Sequence, residues 1–355
     1  MPHATGTYPI DWPIAERRTT IVGNGGKLFR IWLNLIERGY NRPRVQTLHD
    51  RSIMGMEASP LLARGDVRAE ALLTHPRLRP ILTAYCREMI EIDSDGWPIA
   101  KLFNQFGRYM VGFLQIHHYH VWRYYGGPLP TLARLQATSS LSARQTASIV
   151  AGLRAGGLLT IEHADSRSRG HILAPSRQLT AAITRSMLAF LRAADALEHP
   201  VSPRVSRIED DPKLQNELVY RSAAFVLAGN GTLLDPFPRV MHFATKDCGY
   251  LTLTAVMAAI YAYLAGESAT SLSYRSLAKH FRISPSHVGN LITLAMRERW
   301  FATDGRGRIV HAEQGFVDEF EHWSVSELAH YASIADSILA SKRELSATGE
   351  HIWDR

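Results

Sequence analysis

The sequence predicts a mainly α-helical protein with two small β-hairpins, built as two similar modules in tandem behind an N-terminal helical region. Two observations support this prediction. Between residues 97 and 197 the sequence pattern runs helix, helix, turn, helix, hairpin, helix. The same order returns within residues 214–355, at an offset of 142 residues. A unit that recurs at a fixed offset is typical of modules in tandem.

The composition is that of a globular protein without a disulfide framework. The 355 residues are 46% hydrophobic and 21% charged, which suits two or three modules. The two cysteines are too few for a disulfide framework or a zinc cluster, so we expect a reduced, cytoplasmic setting. No secretory signal is visible at the start of the sequence, and residues 251–266, the longest apolar stretch, are shorter than the roughly 20 residues that span a bilayer. That stretch predicts a buried helix.

The N-terminal region, residues 1–96, is predicted to be a helical arm or small domain. Apolar residues recur at helical spacing over residues 27–40, and residues 79–92 predict another helix. Proline and glycine interrupt the remainder. This region and the long helices are candidate surfaces for a homodimer.

The first module is predicted over residues 97–197. Its third helix begins at Ser142 and runs to about Ala155, and Ser142 and Gln145 have the spacing of a capping box. The segment "GLLTIEHADSRSRGHILAPS" alternates apolar and polar residues on both sides of a polar tip, as two strands and a loop do. A long amphipathic helix then ends the module.

The second module is predicted over residues 214–355, after a linker at residues 198–213 that is rich in proline, serine and charge. Ser284 can cap its third helix, with Pro285 at the favoured first position. Arg282 stands in the preceding turn where glycine is common. A match of "TLAR" with "SLAK" at an offset of 145 predicts that this turn is three residues longer in the first module.

Charge is unevenly distributed along the chain. The net charge is +7 for residues 101–200 and −5 for residues 301–355. A basic middle region favours a polyanion as its partner.

The arrangement of helices and hairpin in each module is typical of a winged helix-turn-helix. In such a unit the helix after the turn lies in the DNA major groove, which is about 12 Å wide. Helical spacing places Thr146, Ile149, Val150 and Leu153 on the inward face of the first module's third helix. The outward face consists of Ala143, Arg144, Gln145, Ser148 and Ala151.

Residues ~100–197 resemble the winged-helix core of the MarR (multiple-antibiotic-resistance) regulators. The resemblance lies in "LSARQTASIVAGLRAGGLLTIEHADSRSRGHILAPS", which has the capped helix, its "L-x-x-x-G-L-L" ending and a wing with Asp165, Arg167 and Arg169. It implies that the outward face of the third helix enters the major groove and that the wing arginines contact the minor groove or phosphates. The wing is less dense in aspartate and arginine than is usual in the family. MarR proteins also carry one such unit per chain and act as homodimers, whereas this chain has two units and an N-terminal extension.

The two modules together give a set of candidate DNA contacts. They are Ser142, Arg144, Gln145, Ser148, Arg167, Arg169, Ser286, His287, Asn290, Arg306 and Arg308. Several have an alternative role. Gln145 could bind only the backbone of its capping box, and His287 could cap or be solvated. Arg167 and Arg169 could be solvated loop charges, and Arg306 and Arg308 could be solvated or form contacts within the chain.

No pattern in the sequence predicts catalysis, a cofactor or a metal site. "GNGGK" at residues 23–27 lacks the glycine and the Ser/Thr of a phosphate-binding loop. His117 and His120 lie one helical turn apart, but further ligands are not indicated, which favours a helix interface or pocket with satisfied histidines. For Cys86 and Cys248, a redox sensor is less favoured than buried, inert thiols.

The sequence therefore predicts a non-enzymatic, nucleoid-associated transcription regulator that binds specific double-stranded DNA through tandem winged helices packed as a pseudo-dimer. Two alternatives stay open. One is a plasmid-type replication initiator, a family that also carries tandem winged helices. The other is a protein–protein interaction module, which the acidic residues 301–355 favour.

Overall fold

The computed structural model describes residues 67–92, 97–163, 171–267 and 271–348. Residues 67–73 are helical. The helices and strands that follow, up to the end of the predicted first module, are α1 (Leu78–Ile90), α2 (Trp97–Phe103), α3 (Phe106–Tyr125), α4 (Leu132–Thr138), α5 (Ala143–Ala155), β1 (Leu159–His163), β2 (His171–Pro175) and α6 (Arg177–Glu198).

The rest of the chain repeats part of this order. Its elements are α7 (Arg204–Ile208), α8 (Pro212–Phe225), a π-helical turn (Val226–Asn230), α9 (Pro238–Ala244), α10 (Gly249–Leu264), α11 (Tyr274–His280), α12 (Pro285–Arg297), β3 (Phe301–Thr303), β4 (Ile309–Ala312) and α13 (Gln314–Thr348). Over the residues that it describes, the structure confirms a mainly helical protein with two small antiparallel hairpins. Within the described ranges, no helix is both long enough and apolar enough to cross a membrane.

The repeat is regular in the structure. Three pairs of elements begin 142 residues apart: α4 and α11, α5 and α12, and β1 and β3. Thr131 and Ser273, which cap α4 and α11, obey the same offset. The turns before α5 and α12 are therefore equally long, and the prediction of a turn three residues longer in the first module is wrong. The "TLAR"–"SLAK" match aligns residues on successive turns of the two helices.

In each module, the segment just before the helix-turn-helix forms a backbone hydrogen bond with the hairpin. In the first module the Leu173 N–H of β2 donates to the Pro130 carbonyl at 3.0 Å. In the second, the Leu272 N–H donates to the Gly307 carbonyl at 2.8 Å, and Ser271 forms an antiparallel bridge with Arg308. Both modules thus place a short extended segment beside the hairpin, which fixes the hairpin relative to the helices.

One continuous hydrophobic core joins the two modules. It extends from Leu72 to Leu339. The 22-residue α6 packs against α1, α8 and α13, and α1 also packs against α10. Helix α1, from the predicted N-terminal region, thereby contacts a helix of each module.

Residues 198–213 contain the short helix α7 and a buried arginine. Arg204 is 6% exposed, and its guanidinium pairs with Asp195 at 2.8 Å, Glu198 at 2.7 Å and Asp336 at 2.6 Å. Arg68 pairs with Glu198 and Asp336 as well. This network joins α6, α7 and α13.

Of the two helices predicted in the N-terminal region, one lies within the described residues and one does not. The helix expected at residues 79–92 is present as α1. The helix expected at residues 27–40 lies outside the described residues, as does the "GNGGK" segment. The apolar stretch at residues 251–266 is largely α10, which is buried along most of its length.

Candidate nucleic-acid interface

The turn between α4 and α5 is held by side-chain hydroxyls. The Ser139 and Thr146 hydroxyl oxygens lie 2.8 Å apart, and the Leu141 N–H donates to the Ser139 hydroxyl oxygen at 3.2 Å. Thr146 also donates to the Ser142 carbonyl at 3.1 Å. These bonds fix the direction in which α5 leaves the turn.

The N-terminus of α5 has the predicted capping box. The Ser142 hydroxyl oxygen accepts the Gln145 N–H at 3.3 Å. In return, the Gln145 side-chain oxygen accepts the Ser142 N–H at 3.2 Å and the Ser142 hydroxyl at 2.9 Å. The oxygen of Gln145 is thus engaged with the backbone and side chain of Ser142, which is the alternative role that its spacing allowed.

Removing this cap should destabilise the first module measurably. We expect Ser142→Ala to lower the free energy of unfolding by about 1 kcal/mol, because the Gln145 N–H loses its acceptor and the Gln145 side-chain oxygen loses the hydroxyl that it accepts. Ser148→Ala, at an exposed position in the same helix, is the control and should change it by less than about 0.5 kcal/mol. Chemical denaturation of the two variants makes the comparison; equal effects would contradict a stabilising role for the cap.

The outward face of α5 is exposed as predicted. Thr146, Val150 and Leu153 are buried beneath the helix. The exposed residues are Ala143, Arg144, Gln145, Ser148, Ala151, Gly152, Arg154 and Ala155. This face contains two arginines and small side chains, so a polyanion could approach the helix closely.

The first hairpin follows α5 in the chain, and its tip lies outside the described residues. Its five residue pairs run from Leu159 opposite Pro175 to His163 opposite His171. Arg167 and Arg169 fall in residues 164–170, outside the described residues. Their predicted contact with DNA stays a prediction.

In the second module, α12 begins with a simpler cap. The Ser284 hydroxyl accepts the His287 N–H at 3.1 Å. Unlike Gln145, His287 does not complete a capping box; its Nε2 lies 2.7 Å from the Asp247 carbonyl oxygen. His287 is therefore anchored to the segment before α10. Ser286 and Asn290 are exposed, as is Thr293.

The turn before α12 is strained, as the absence of glycine there suggested. Arg282 has φ of 50°, in the left-handed region that glycine adopts without cost. The equivalent ends of α5 and α12 also use this region, at Gly157 with φ of 68° and at Arg299 with φ of 61°.

The turn of the second hairpin is built around Asp304. Its carboxylate accepts the backbone N–H groups of Arg306 and Arg308, both at 2.9 Å, and pairs with the Arg308 guanidinium at 2.7 Å. The charge of Arg308 is thus shared with a neighbouring carboxylate, whereas the exposed Arg306 is held only through its backbone in this turn.

The electrostatics of both helix-turn-helix segments favour an anion. Residues 97–161 contain six arginines or lysines and no aspartate or glutamate, and residues 268–297 contain four and none. In the first module Arg123, Arg144 and Arg154 are exposed. In the second, the exposed basic residues are Arg275, Lys279, Arg282 and Arg297. Such surfaces attract phosphates without catalytic chemistry.

The two modules distribute their positive charge differently over their two helices. Arg275 and Lys279 of α11 correspond by the 142-residue offset to alanines in α4, and Arg144 of α5 corresponds to Ser286. Arg154, Arg275 and Lys279 were not among the predicted contacts. They become candidate phosphate contacts because their side chains are exposed. For Arg154, helical spacing alone could have predicted this exposure.

The histidine cluster of α3 packs inside the protein. His117 Nδ1 lies 3.2 Å from the Tyr220 carbonyl oxygen, and His120 Nε2 lies 2.9 Å from the Glu217 carboxylate. Burial lowers the pKa of His117 to about 4. Among the described residues, no group of three or more His, Cys, Asp or Glu side chains could hold a metal ion.

Both cysteines are buried and free. Burial raises the pKa of Cys86, and it raises the pKa of Cys248 to about 11. At neutral pH both are thiols, which react slowly with oxidants.

Comparison with models of known protein families, with curated proteins and with solved structures gives no match for this chain.

Proposed function

We propose that this protein is a sequence-specific double-stranded DNA-binding transcription regulator in which two winged helix-turn-helix modules act as a pseudo-dimer. The observation that carries the proposal is the exposed outward face of α5, which lies in a 65-residue acid-free run (residues 97–161) and is flanked by a hairpin. The extended segment beside each hairpin supports the winged-helix interpretation. The resemblance to MarR regulators agrees with this function.

In this proposal the arginines neutralise phosphates and the exposed faces of α5 and α12 select sequence. Arg144, Ser148 and Arg154 would serve the first half of the site. Ser286 and Asn290 of α12, with Arg275 and Lys279 of α11, would serve the second. Because these two sets differ, the target would be non-palindromic or imperfectly palindromic.

The acidic C-terminal region offers less support for a protein-binding module than its charge suggested. Glu313 pairs with Arg239 at 2.6 Å, and Glu321 pairs with Arg79 at 2.8 Å. Asp336 is in the network of Arg204. Much of the acidity therefore serves contacts within the chain.

The proposal predicts that the affinity for duplex DNA falls steeply with salt concentration, and that Arg144 and Arg154 both contribute to this dependence. We expect Arg144→Ala/Arg154→Ala to weaken binding to a random-sequence duplex at least about tenfold at low salt and to make the slope of log K against log [salt] shallower by about 2. Fluorescence anisotropy across a salt series measures both. Arg87→Ala/Arg343→Ala, which removes two exposed arginines outside the two modules' helix-turn-helix segments, is the matched control and should bind like the native chain.

Two results would overturn DNA binding at this face: no binding at the lowest salt, or the same loss in both double variants. The Arg167→Ala/Arg169→Ala variant extends the assay to the wing. Selection from a random duplex pool then separates a regulator, with single sites near promoters, from a replication initiator, with repeated sites near an origin.

A further inference from the structure

A cavity of about 450 Å³ lies at the junction of the two modules. Helices α2, α3 and α6 of the first module, α10 and α13 of the second, and α1 contribute to its walls. Its volume is within the range of small-molecule sites, about 300–1,000 Å³. The proposed DNA-binding face does not include it.

One part of this cavity is an aromatic box. The rings of Phe190 and Trp323 meet edge to face with centroids 5.5 Å apart, and Phe190 stacks with Tyr331 at 6.0 Å. Tyr250 meets Trp323 edge to face at 5.8 Å. Tyr109 also lines the cavity. Aromatic faces carry partial negative charge and attract cations.

A carboxyl group lies in this box. Glu327 lines the cavity and is only 8% exposed. It accepts a hydrogen bond from Trp323 Nε1 at 3.1 Å and one from the Tyr331 hydroxyl. Within the described ranges, no arginine or lysine forms an ion pair with it. Burial raises the pKa of Glu327 to about 7.

Among the residues that the structure describes, the other titratable groups near Glu327 supply no positive charge. The groups that interact with it electrostatically are the hydroxyls of Tyr85, Tyr109, Tyr250 and Tyr331, from α1, α3, α10 and α13. His330 also lines the cavity, where its Nε2 lies 2.9 Å from the Ser222 hydroxyl. Burial lowers the pKa of His330 to about 4, so it is neutral at pH 7.

The remaining cation of the cavity wall is already occupied. The Arg185 guanidinium donates to the carbonyl oxygens of Glu88 at 2.8 Å, Met89 at 3.1 Å and Glu91 at 3.2 Å. It therefore holds the end of α1 in place. An anionic ligand would find no positive partner beside Glu327.

We propose that this cavity binds a hydrophobic monovalent cation, an aromatic or alkyl ammonium compound, with its charge beside Glu327 and its apolar part against the aromatic box. A buried carboxylate without a positive partner is costly, and a ligand cation would compensate it in a way that a neutral molecule cannot. Binding itself is independent of the proposed DNA binding. An effect of the ligand on DNA affinity would rest on that function.

The test compares two probes of the same shape on the full chain without DNA. Benzyltrimethylammonium and its uncharged isostere neopentylbenzene are titrated by calorimetry at pH 8, where Glu327 is ionised. We expect the native chain to bind the cation at least about tenfold more tightly than the isostere. Equal affinities, or no binding of the cation, would overturn the proposal.

Two variants locate the site. Glu327→Gln keeps an acceptor for Trp323 and should lose the preference for the cation without losing the isostere. Ala182→Phe, which fills the cavity from α6, should weaken both probes, while the exposed Glu298→Gln should change neither. Unchanged cation affinity in Glu327→Gln or in Ala182→Phe would place the cation elsewhere and overturn the proposal.

The affinities of both probes can also be measured on the native chain at several pH values, so that this test does not depend on the folding of a variant. Between pH 8 and pH 5.5 Glu327 gains its proton, so cation affinity should fall at least about tenfold while isostere affinity stays constant. A parallel loss for both probes, or none for the cation, would contradict a role for the carboxylate. Because these titrations contain no DNA, their outcome does not depend on whether the chain binds DNA.

Discussion

Replacing Arg204 with methionine is expected to lower the free energy of unfolding by about 3–5 kcal/mol, the usual effect of removing one partner from a buried ion pair. Asp195 is only 8% exposed, and its Oδ1 accepts from Arg204 at 2.8 Å while its Oδ2 accepts the Val205 N–H at 3.0 Å. Methionine fills much of the space of the arginine side chain but leaves the carboxylate buried without its guanidinium. The variant therefore separates the loss of charge from the loss of packing.

Urea denaturation at pH 7 makes the measurement. Arg207→Met, on the same short helix and half-buried, is the matched control and should lose less than about 1 kcal/mol. Adding Asp195→Asn to Arg204→Met should restore at least half of the lost stability, because the unpaired charge is gone. A loss below about 1 kcal/mol for Arg204→Met would mean that the network does not hold α6, α7 and α13 together.

The second large effect is a pH-dependent gain in stability for Glu327→Gln. Burial raises the pKa of Glu327 to about 7 from an ordinary value of 4.5. Between these pH values the folded chain holds a proton that the unfolded chain has lost. Glu327 therefore makes the native protein less stable as pH rises through this window, and the loss is complete above pH 7.

Glutamine removes this dependence. At pH 4.5 the variant and the native chain should have nearly equal stability, and at pH 8 the variant should be more stable by about 3 kcal/mol, from 1.36 kcal/mol for each unit of pKa. Denaturation at pH 4.5, 6 and 8 follows the change, and Glu298→Gln shows the behaviour of an exposed glutamate. A difference that does not vary with pH would contradict the raised pKa.

Local features of the fold could be predicted from the sequence because they depend on short-range chemistry. Ser142 and Gln145 predicted a capping box at the start of α5, and both of its halves are present. The spacing of Thr146, Val150 and Leu153 identified the buried face. The internal offset of 142 residues located the second helix-turn-helix, whereas the short "TLAR"–"SLAK" match misplaced a turn because four residues of common types carry little positional information.

Side-chain partners across the chain could not be predicted in the same way. His287 lies on the outward side of a helical wheel, but its imidazole reaches the Asp247 carbonyl on a segment 40 residues earlier. Nothing local to α12 indicates that segment's position. Arg308, by contrast, has its partner Asp304 four residues away in the same turn, and spacing alone could have suggested that pair.

The cavity is the clearest case of a feature that sequence patterns do not contain. Phe190, Trp323 and Tyr331 satisfy the spacing of ordinary buried helix residues, and only the packing of α6 against α13 brings their rings together around Glu327. The contact of α1 with both modules also depends on tertiary packing. Periodicity identifies which face of a helix is buried and leaves its neighbour undetermined.

The continuous core between the modules has a consequence for how such a protein would respond to dilution. A regulator assembled from two separate chains dissociates as its concentration falls, so its occupancy of DNA depends on two equilibria. Here α6, α13 and α1 join both halves within a single polypeptide. In the proposed function, engagement of a second half-site would be an intramolecular step whose effective concentration is set by the fold. A cell holding only a few copies would retain the full two-module molecule.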